Sequence, residues 1–177
     1  MLFRSVGQRK HGDNRIEFSL VERIEAREAA LAVQLLISVV KFDRFEWCLE
    51  KAAELDAAEI IPLAAARSDK PLLAAAGKRS ERWSRILLES AQQSRRLRAP
   101  LLRELKKPQT AFAESRADCK ILLSERRDAP SMRSAVANAC GAASAALAIG
   151  PEGGWMEEEI HAATGAGFAE ASLGENI

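Results

Sequence analysis

The segment best suited to chemistry is Ile149-Gly150-Pro151-Glu152-Gly153-Gly154, an aliphatic run that ends in three glycines, a proline and one carboxylate. Glycines let backbone approach a ligand closely, and Pro151 stiffens the turn. The spacing lacks the first tight glycine pair of a dinucleotide fingerprint. Met156-Glu157-Glu158-Glu159 follows, and three anions at a helix start would repel phosphate, so the loop is expected to hold a ligand through backbone contacts. A plain strand-to-helix turn is the other reading. A second cluster is cationic. From Lys78 to Lys107 ten Lys and Arg residues stand against three Glu, whereas Pro151 to Ile177 carries six Glu and no Lys or Arg. Such a stripe suits a polyanionic partner. It equally suits a solvated helix face, because Glu81, Arg85 and Glu89 stand four apart.

Several other chemistries are disfavoured. His11 and His161 stand apart from any Cys or carboxylate at ligand spacing, so no metal site is expected. Neither a Gly-x-Ser-x-Gly elbow nor a Gly-Lys-Ser/Thr phosphate loop occurs, which argues against the common hydrolases and kinases. Cys48, Cys119 and Cys140, odd in number and far apart, read as reduced and mostly buried thiols.

The elements that must position these residues follow from hydrophobic period. Ile16, Phe18 and Leu20 alternate with polar residues as in a half-buried strand. Val33 to Val40 is continuously aliphatic, as in a strand covered on both faces. Arg44 to Leu55 and Ser80 to Leu97 have helical period, with Phe45, Cys48, Leu49 and Ala52 on one face of the first and Trp83, Leu87, Ala91 and Ser94 on one face of the second. Ala58 to Leu63, Lys120 to Ser124, Ala145 to Ile149 and Phe168 to Leu173 read as short strands, and Met156 to Thr164 as a helix. This alternation predicts an α/β fold with a mainly parallel sheet.

With 177 residues, 47% hydrophobic, 29% charged and a net charge of +1, the chain has the composition of an ordinary globular domain rather than a disordered one. Ser134 to Pro151 is uncharged yet mostly alanine and is rejected as a membrane span. Arg4, Arg9 and Lys10 precede no apolar run, so no secretory signal is read and a cytoplasmic location is expected.

The motifs together resemble the C-terminal half of the RsmE family. The resemblance rests on Gly150 to Gly154 with Glu157 to Glu159, then Ala166-Gly167-Phe168 and Ser172-Leu173-Gly174-Glu175-Asn176-Ile177. Upstream, Asp43-Arg44-Phe45-Glu46-Trp47, Lys51 to Leu55, Glu59 to Leu63, Arg67-Ser68, Glu81-Arg82-Trp83 and Gln93-Ser94-Arg95-Arg96 are similar in order and spacing. The chain departs from the family at Phe42, Asp56 and Arg95, where glycine is usual or common, at Gln92, where Glu is usual, and at Met156, where a capping Ser is common.

The resemblance implies a SPOUT-type, trefoil-knotted methyltransferase over residues 31–177. It also implies a C-terminal remnant of a PUA-like RNA-binding barrel over residues 1–30. Both ends are then expected to be cut, the last knot segment, of Leu-Arg-x-Glu-Thr-Ala type, being absent. The implied activity is methylation of uridine N3 in small-subunit ribosomal RNA by a homodimer, with S-adenosylmethionine as cofactor. Cofactor-binding positions fall on Leu123, Ser124 and Glu125, on Ile149, Gly150, Pro151, Glu152, Gly153 and Gly154, and on Leu173, Gly174, Asn176 and Ile177. Ser124 and Glu125 equally suit plain strand-end polar positions. Uridine N3 must lose a proton before it attacks, so Arg67 and Arg96 are candidates to favour the anion and Glu152 to accept the proton. Arg79, Arg82, Arg95, Arg96 and Arg98 are the candidate phosphate contacts. Two alternatives stay open: a non-catalytic RNA-binding module, or inactive fragment of such an enzyme, and a nucleotide-binding α/β enzyme without RNA.

Overall fold

The computed structural model describes residues 2–9, 16–24, 31–126, 128–137 and 141–174. Strands β1 (Leu2–Arg9) and β2 (Ile16–Ile24) form an antiparallel pair with a register shift at Arg4/Ser5. The remainder is a six-stranded sheet of β3 (Ala32–Ser38), β4 (Glu59–Leu63), β5 (Leu101–Leu102), β6 (Cys119–Leu123), β7 (Ser144–Ile149) and β8 (Ala169–Ala171). Its order is β5-β4-β3-β7-β6-β8, and every neighbouring pair is parallel.

Parallel strands need crossovers, and the helices that supply them cover both faces. Along β3, Leu36 packs on one side and Ile37 on the other, and both are buried, which explains its unbroken aliphatic run. Helices α1 (Phe42–Glu54) and α3 (Ser80–Gln93) close the Ile37 face with Phe45, Leu49, Trp83 and Leu87. On the Leu36 face, α4 (Pro108–Glu114) and α6 (Glu157–Gly165) pack through Phe112, Ile160 and Ala163, with Trp155 and Phe168 beside them. Three short helices, α4 and also α2 (Lys70–Ala76) and α5 (Met132–Ala137), were not anticipated. Helix α2 starts on Asp69, whose side chain accepts from Leu72 N, with a proline in its opening turn.

The arginine-rich helix is shorter than expected. It stops at Gln93, Arg95 takes a left-handed φ of 57°, and Arg96 N bonds back to Ala91 O at 2.8 Å. The chain must turn there because β5 starts beside Glu59, at the amino end of β4. β8 also spans only Ala169–Ala171 of the predicted 168–173. Cys48 and Cys119 are half-buried rather than buried, and Cys140 lies outside the described residues. Among the described residues no helix is long and apolar enough to cross a membrane.

Candidate functional site

β6, β7 and β8 end level with one another: Leu122 pairs with Ala148, and Leu123 with Ala171. The carboxyl end of such a sheet is where α/β folds bind small molecules. There the loops after the three strands enclose a cleft of about 470 Å³. From the first come Leu123, Ser124, Glu125 and Arg126, from the second Ile149, Gly150, Pro151, Gly153 and Gly154, and from the third Ser172, Leu173 and Gly174. Arg67 adds a wall from beyond β4. The three segments singled out in the sequence thus meet in one place. Asn176 and Ile177 lie outside the described residues.

The glycines are there for space. A Cβ on Gly150 would stand 3.0 Å from the Trp155 indole, whose Nε1 donates to Leu123 O at 2.9 Å. The buried indole therefore ties the glycine loop to the end of β6. Gly154 has φ +72° in a turn closed by its N–H on Pro151 O. Gly153 lies against the Arg67 side chain, which donates from Nη1 to Gly153 O at 2.6 Å and from Nε to Met156 Sδ at 3.1 Å. Behind this contact Glu159, 2% exposed, accepts from Ala66 N and Met156 N, both at 2.9 Å. The three successive glutamates are therefore not one negative patch. Glu157 faces the cleft, Glu158 is exposed, and Glu159 is a buried staple between two loops.

On the opposite rim Arg126 lies 3.4 Å from Asp128, 3.6 Å from Glu157 and 3.8 Å from Glu170. Its hydrogen bonds hold the Asp128 carboxyl below the usual carboxylate range. Ser124 receives an N–H bond from Arg126 on its hydroxyl, a local strand-end role.

Of the three candidate catalytic residues only Arg67 lines the cleft. Glu152 is exposed on the outside of its loop and pairs with Arg44 of α1. Arg96 is a correction: the structure does not bring it here. Its guanidinium bonds the Glu54 carbonyl at 3.1 and 2.5 Å and pairs with Asp56 at 3.3 Å, at the amino end of the sheet. Arg95 and Arg98 are exposed at that same far end, whereas Arg79 and Arg82 sit at the cleft end, where both bond Glu46.

A family model described as an RNA methyltransferase domain matches residues 27–177. The chain belongs to that family. Similar proteins include the ribosomal RNA small subunit methyltransferase E of Synechocystis, 34% identical over an alignment of 158 residues that covers 86% of this chain and 50% of the relative. The Bacillus subtilis protein of the same name is 31% identical over an alignment of 163 residues that covers 86% of this chain and 62% of the relative. The chain thus spans between half and two thirds of these relatives. A ribosomal RNA small subunit methyltransferase E from Neisseria gonorrhoeae, solved bound to S-adenosyl methionine, is 27% identical with a TM-score of 0.79, covering 92% of this chain and 66% of that one. A Legionella pneumophila methyltransferase solved with the same cofactor is 28% identical with a TM-score of 0.80, covering 98% and 71%.

In this RNA methyltransferase domain the supporting residues escaped the sequence reading. Trp155, Glu159 and Arg126 shape the cleft, and Arg44 and Glu46 fix its neighbourhood. Glu159 had a local signal, a glutamate three residues into a helix that opens at Met156, the position from which a side chain reaches back to the first backbone N–H. Its second bond, to Ala66, has none. Among the described residues no group of three metal ligands occurs.

Proposed function

We propose that the chain is the catalytic part of an S-adenosylmethionine-dependent methyltransferase that acts on uridine N3 in small-subunit ribosomal RNA. The observation that carries this reading is the cleft at the ends of β6, β7 and β8, in a chain whose relatives are named for that class of reaction. Its residues fit the cofactor. Gly150 to Gly154 offer backbone polar groups at close range, Leu123, Ile149 and Ile160 offer apolar contact, and Glu125 and Glu157 complement a cation better than a phosphate. The cofactor-binding set is then Leu123 to Glu125, Ile149 to Gly154, Leu173, Gly174, Asn176 and Ile177. Bound there, S-adenosylmethionine supplies an electrophilic methyl on a positively charged sulfur.

The protein's task is positioning. Arg67 keeps two N–H groups on the glycine loop and has others to donate to a uridine carbonyl oxygen, which stabilises the N3 anion. Glu152, which pairs with Arg44 outside the cleft, is the carboxylate proposed to accept the N3 proton, and it does so only after its side chain leaves Arg44 and turns inward. Cations at both ends of α3, Arg79 and Arg82 at one and Arg95 and Arg98 at the other, meet the RNA backbone. We also read the fold as the SPOUT trefoil, supported by a strand order in which β7 enters between β3 and the earlier β6. Residues 31–177 form this domain, β1 and β2 belong to a PUA-like RNA-binding domain, and the working unit is a cytoplasmic homodimer.

Calorimetric titration of S-adenosylmethionine into the protein tests the reading. Gly153→Val presses a branched side chain onto Arg67, whose Cδ is already 3.4 Å from a Cβ at that position. Affinity falls about tenfold or more with the circular dichroism spectrum unchanged. Equal affinity in both proteins overturns the assignment.

A further inference from the structure

The cations that could meet a polyanion divide between the two ends of the sheet. α1 starts at the carboxyl end of β3 and finishes at the amino end of β4, and α3 runs alongside it in the same direction. Arg79 and Arg82 therefore stand at the cleft end and Arg95, Arg96 and Arg98 at the far one.

At the cleft end two arginines converge on one carboxylate. Arg82 binds Glu46 through Nε and Nη2, each at 2.8 Å, and this already satisfies both carboxylate oxygens. Arg79 adds a third bond at 3.0 Å and lays its guanidinium over the Phe42 ring, 4.0 Å from the centroid. The Glu46 side chain is 12% exposed, while those of Arg82 and Arg79 are 64% and 38% exposed. The carboxylate is thus a buried anchor, and most of the guanidinium N–H groups face outward. One arginine would have sufficed for Glu46, so the second leaves a fixed excess of positive charge. Arg44, on the same turns of α1, pairs with Glu152 of the glycine loop, which places this edge beside the cleft. Across the cleft the rim is acidic, with Glu125, Glu157, Asp128 and Glu170 around Arg126. A field of that polarity steers a polyanion toward α1 and α3.

We propose that Glu46 is a positioning residue that holds Arg79 and Arg82 as a two-arginine edge gripping successive backbone phosphates of an RNA strand, so that the strand enters the cleft from the α1–α3 side. The proposal rests on the RNA methyltransferase reading above and names the side from which its substrate arrives.

The test is fluorescence anisotropy with a labelled single-stranded RNA oligonucleotide across a salt series, with calorimetry of S-adenosylmethionine on the same proteins. Arg79→Gln with Arg82→Gln weakens RNA binding about tenfold and flattens the log–log salt slope by roughly 1.4, two contacts at about 0.7 each. Arg95→Gln with Arg98→Gln has the smaller effect. Adding Glu46→Gln to the first pair leaves no orphaned carboxylate, guards against misfolding, and gives the same loss of slope. Glu46→Gln alone weakens RNA binding although it raises the net positive charge, an effect opposite to that of a merely neutralising carboxylate. An unchanged slope in the triple variant, a larger loss from the far pair, or tighter binding by Glu46→Gln overturns the proposal. Cofactor titration separates the two readings: normal cofactor affinity with an unchanged slope sinks only the arginine edge. Loss of slope without any cofactor binding sinks only the cofactor assignment.

Discussion

Two residues carry backbone strain that a side chain makes worse. Asp56 and Arg95 have φ of 67° and 57°, just past the ends of α1 and α3, in the left-handed region that favours glycine. A Cβ in the left-handed region costs about 1–2 kcal/mol, less for Asp than for Arg. Arg95→Gly is therefore expected to stabilise the protein by roughly 0.5–1 kcal/mol after the added freedom of the unfolded chain, raising Tm by about 1–4 °C. Asp56→Gly gains less, because it also gives up the pair with Arg96. Thermal unfolding of both variants checks the order, and a loss of stability in Arg95→Gly contradicts it. At this scale the sequence was uneven in what it disclosed. Glycine and arginine advertised the cleft through type and spacing, but Glu159 looked like one of three equivalent anions because its partner at Ala66 is close only after folding.

Among the elements, α1 and α3 were legible because each is long enough for its apolar face to repeat, with Phe45, Leu49 and Ala52 on one and Trp83, Leu87 and Ala91 on the other. Helices α2, α4 and α5, of seven, seven and six residues, make two turns or fewer and leave too little period to read. The end of α3 was misplaced because its arginines are good helix formers, whereas the approach to β5 requires a turn. The contact between α1 and α3 has a titratable centre. Hydrogen bonds from Arg82, then those from Arg79, hold the Glu46 carboxyl below its ordinary value of 4.5 despite partial burial. A carboxyl depressed on folding stabilises the native state above its unfolded pKa, and that contribution is lost as pH falls through the folded one. Urea unfolding of the protein and of Glu46→Gln across pH is expected to show a constant stability gap at neutral pH that narrows below about 4.5. A gap independent of pH in the acid range contradicts this.

For the whole molecule the governing fact is that chain order and sheet order disagree. β7 must enter between β3 and β6, so the face carrying α4 and α6 closes only after distant segments have met. Long-range parallel pairing is slow to form. Trp83 and Trp155 report on the two cores separately. In refolding from urea, with the exposed third indole removed by Trp47→Phe in every protein, Trp155→Phe, which keeps the Trp83 reporter, is expected to recover its fluorescence on the earlier phase. Trp83→Phe, which keeps Trp155, recovers on the later one, in the range of about milliseconds to seconds. Coincident signals would mean that both faces close in a single step. Glu159 reaches across this late-closing region. Its oxygens take one N–H from the loop that carries Arg67 and one from the loop that carries Gly153, so neither loop can shift alone without stranding an oxygen of the buried Glu159 carboxylate. The two walls of the cleft move as a single jaw, and whatever seats itself against one sets the gape of the other.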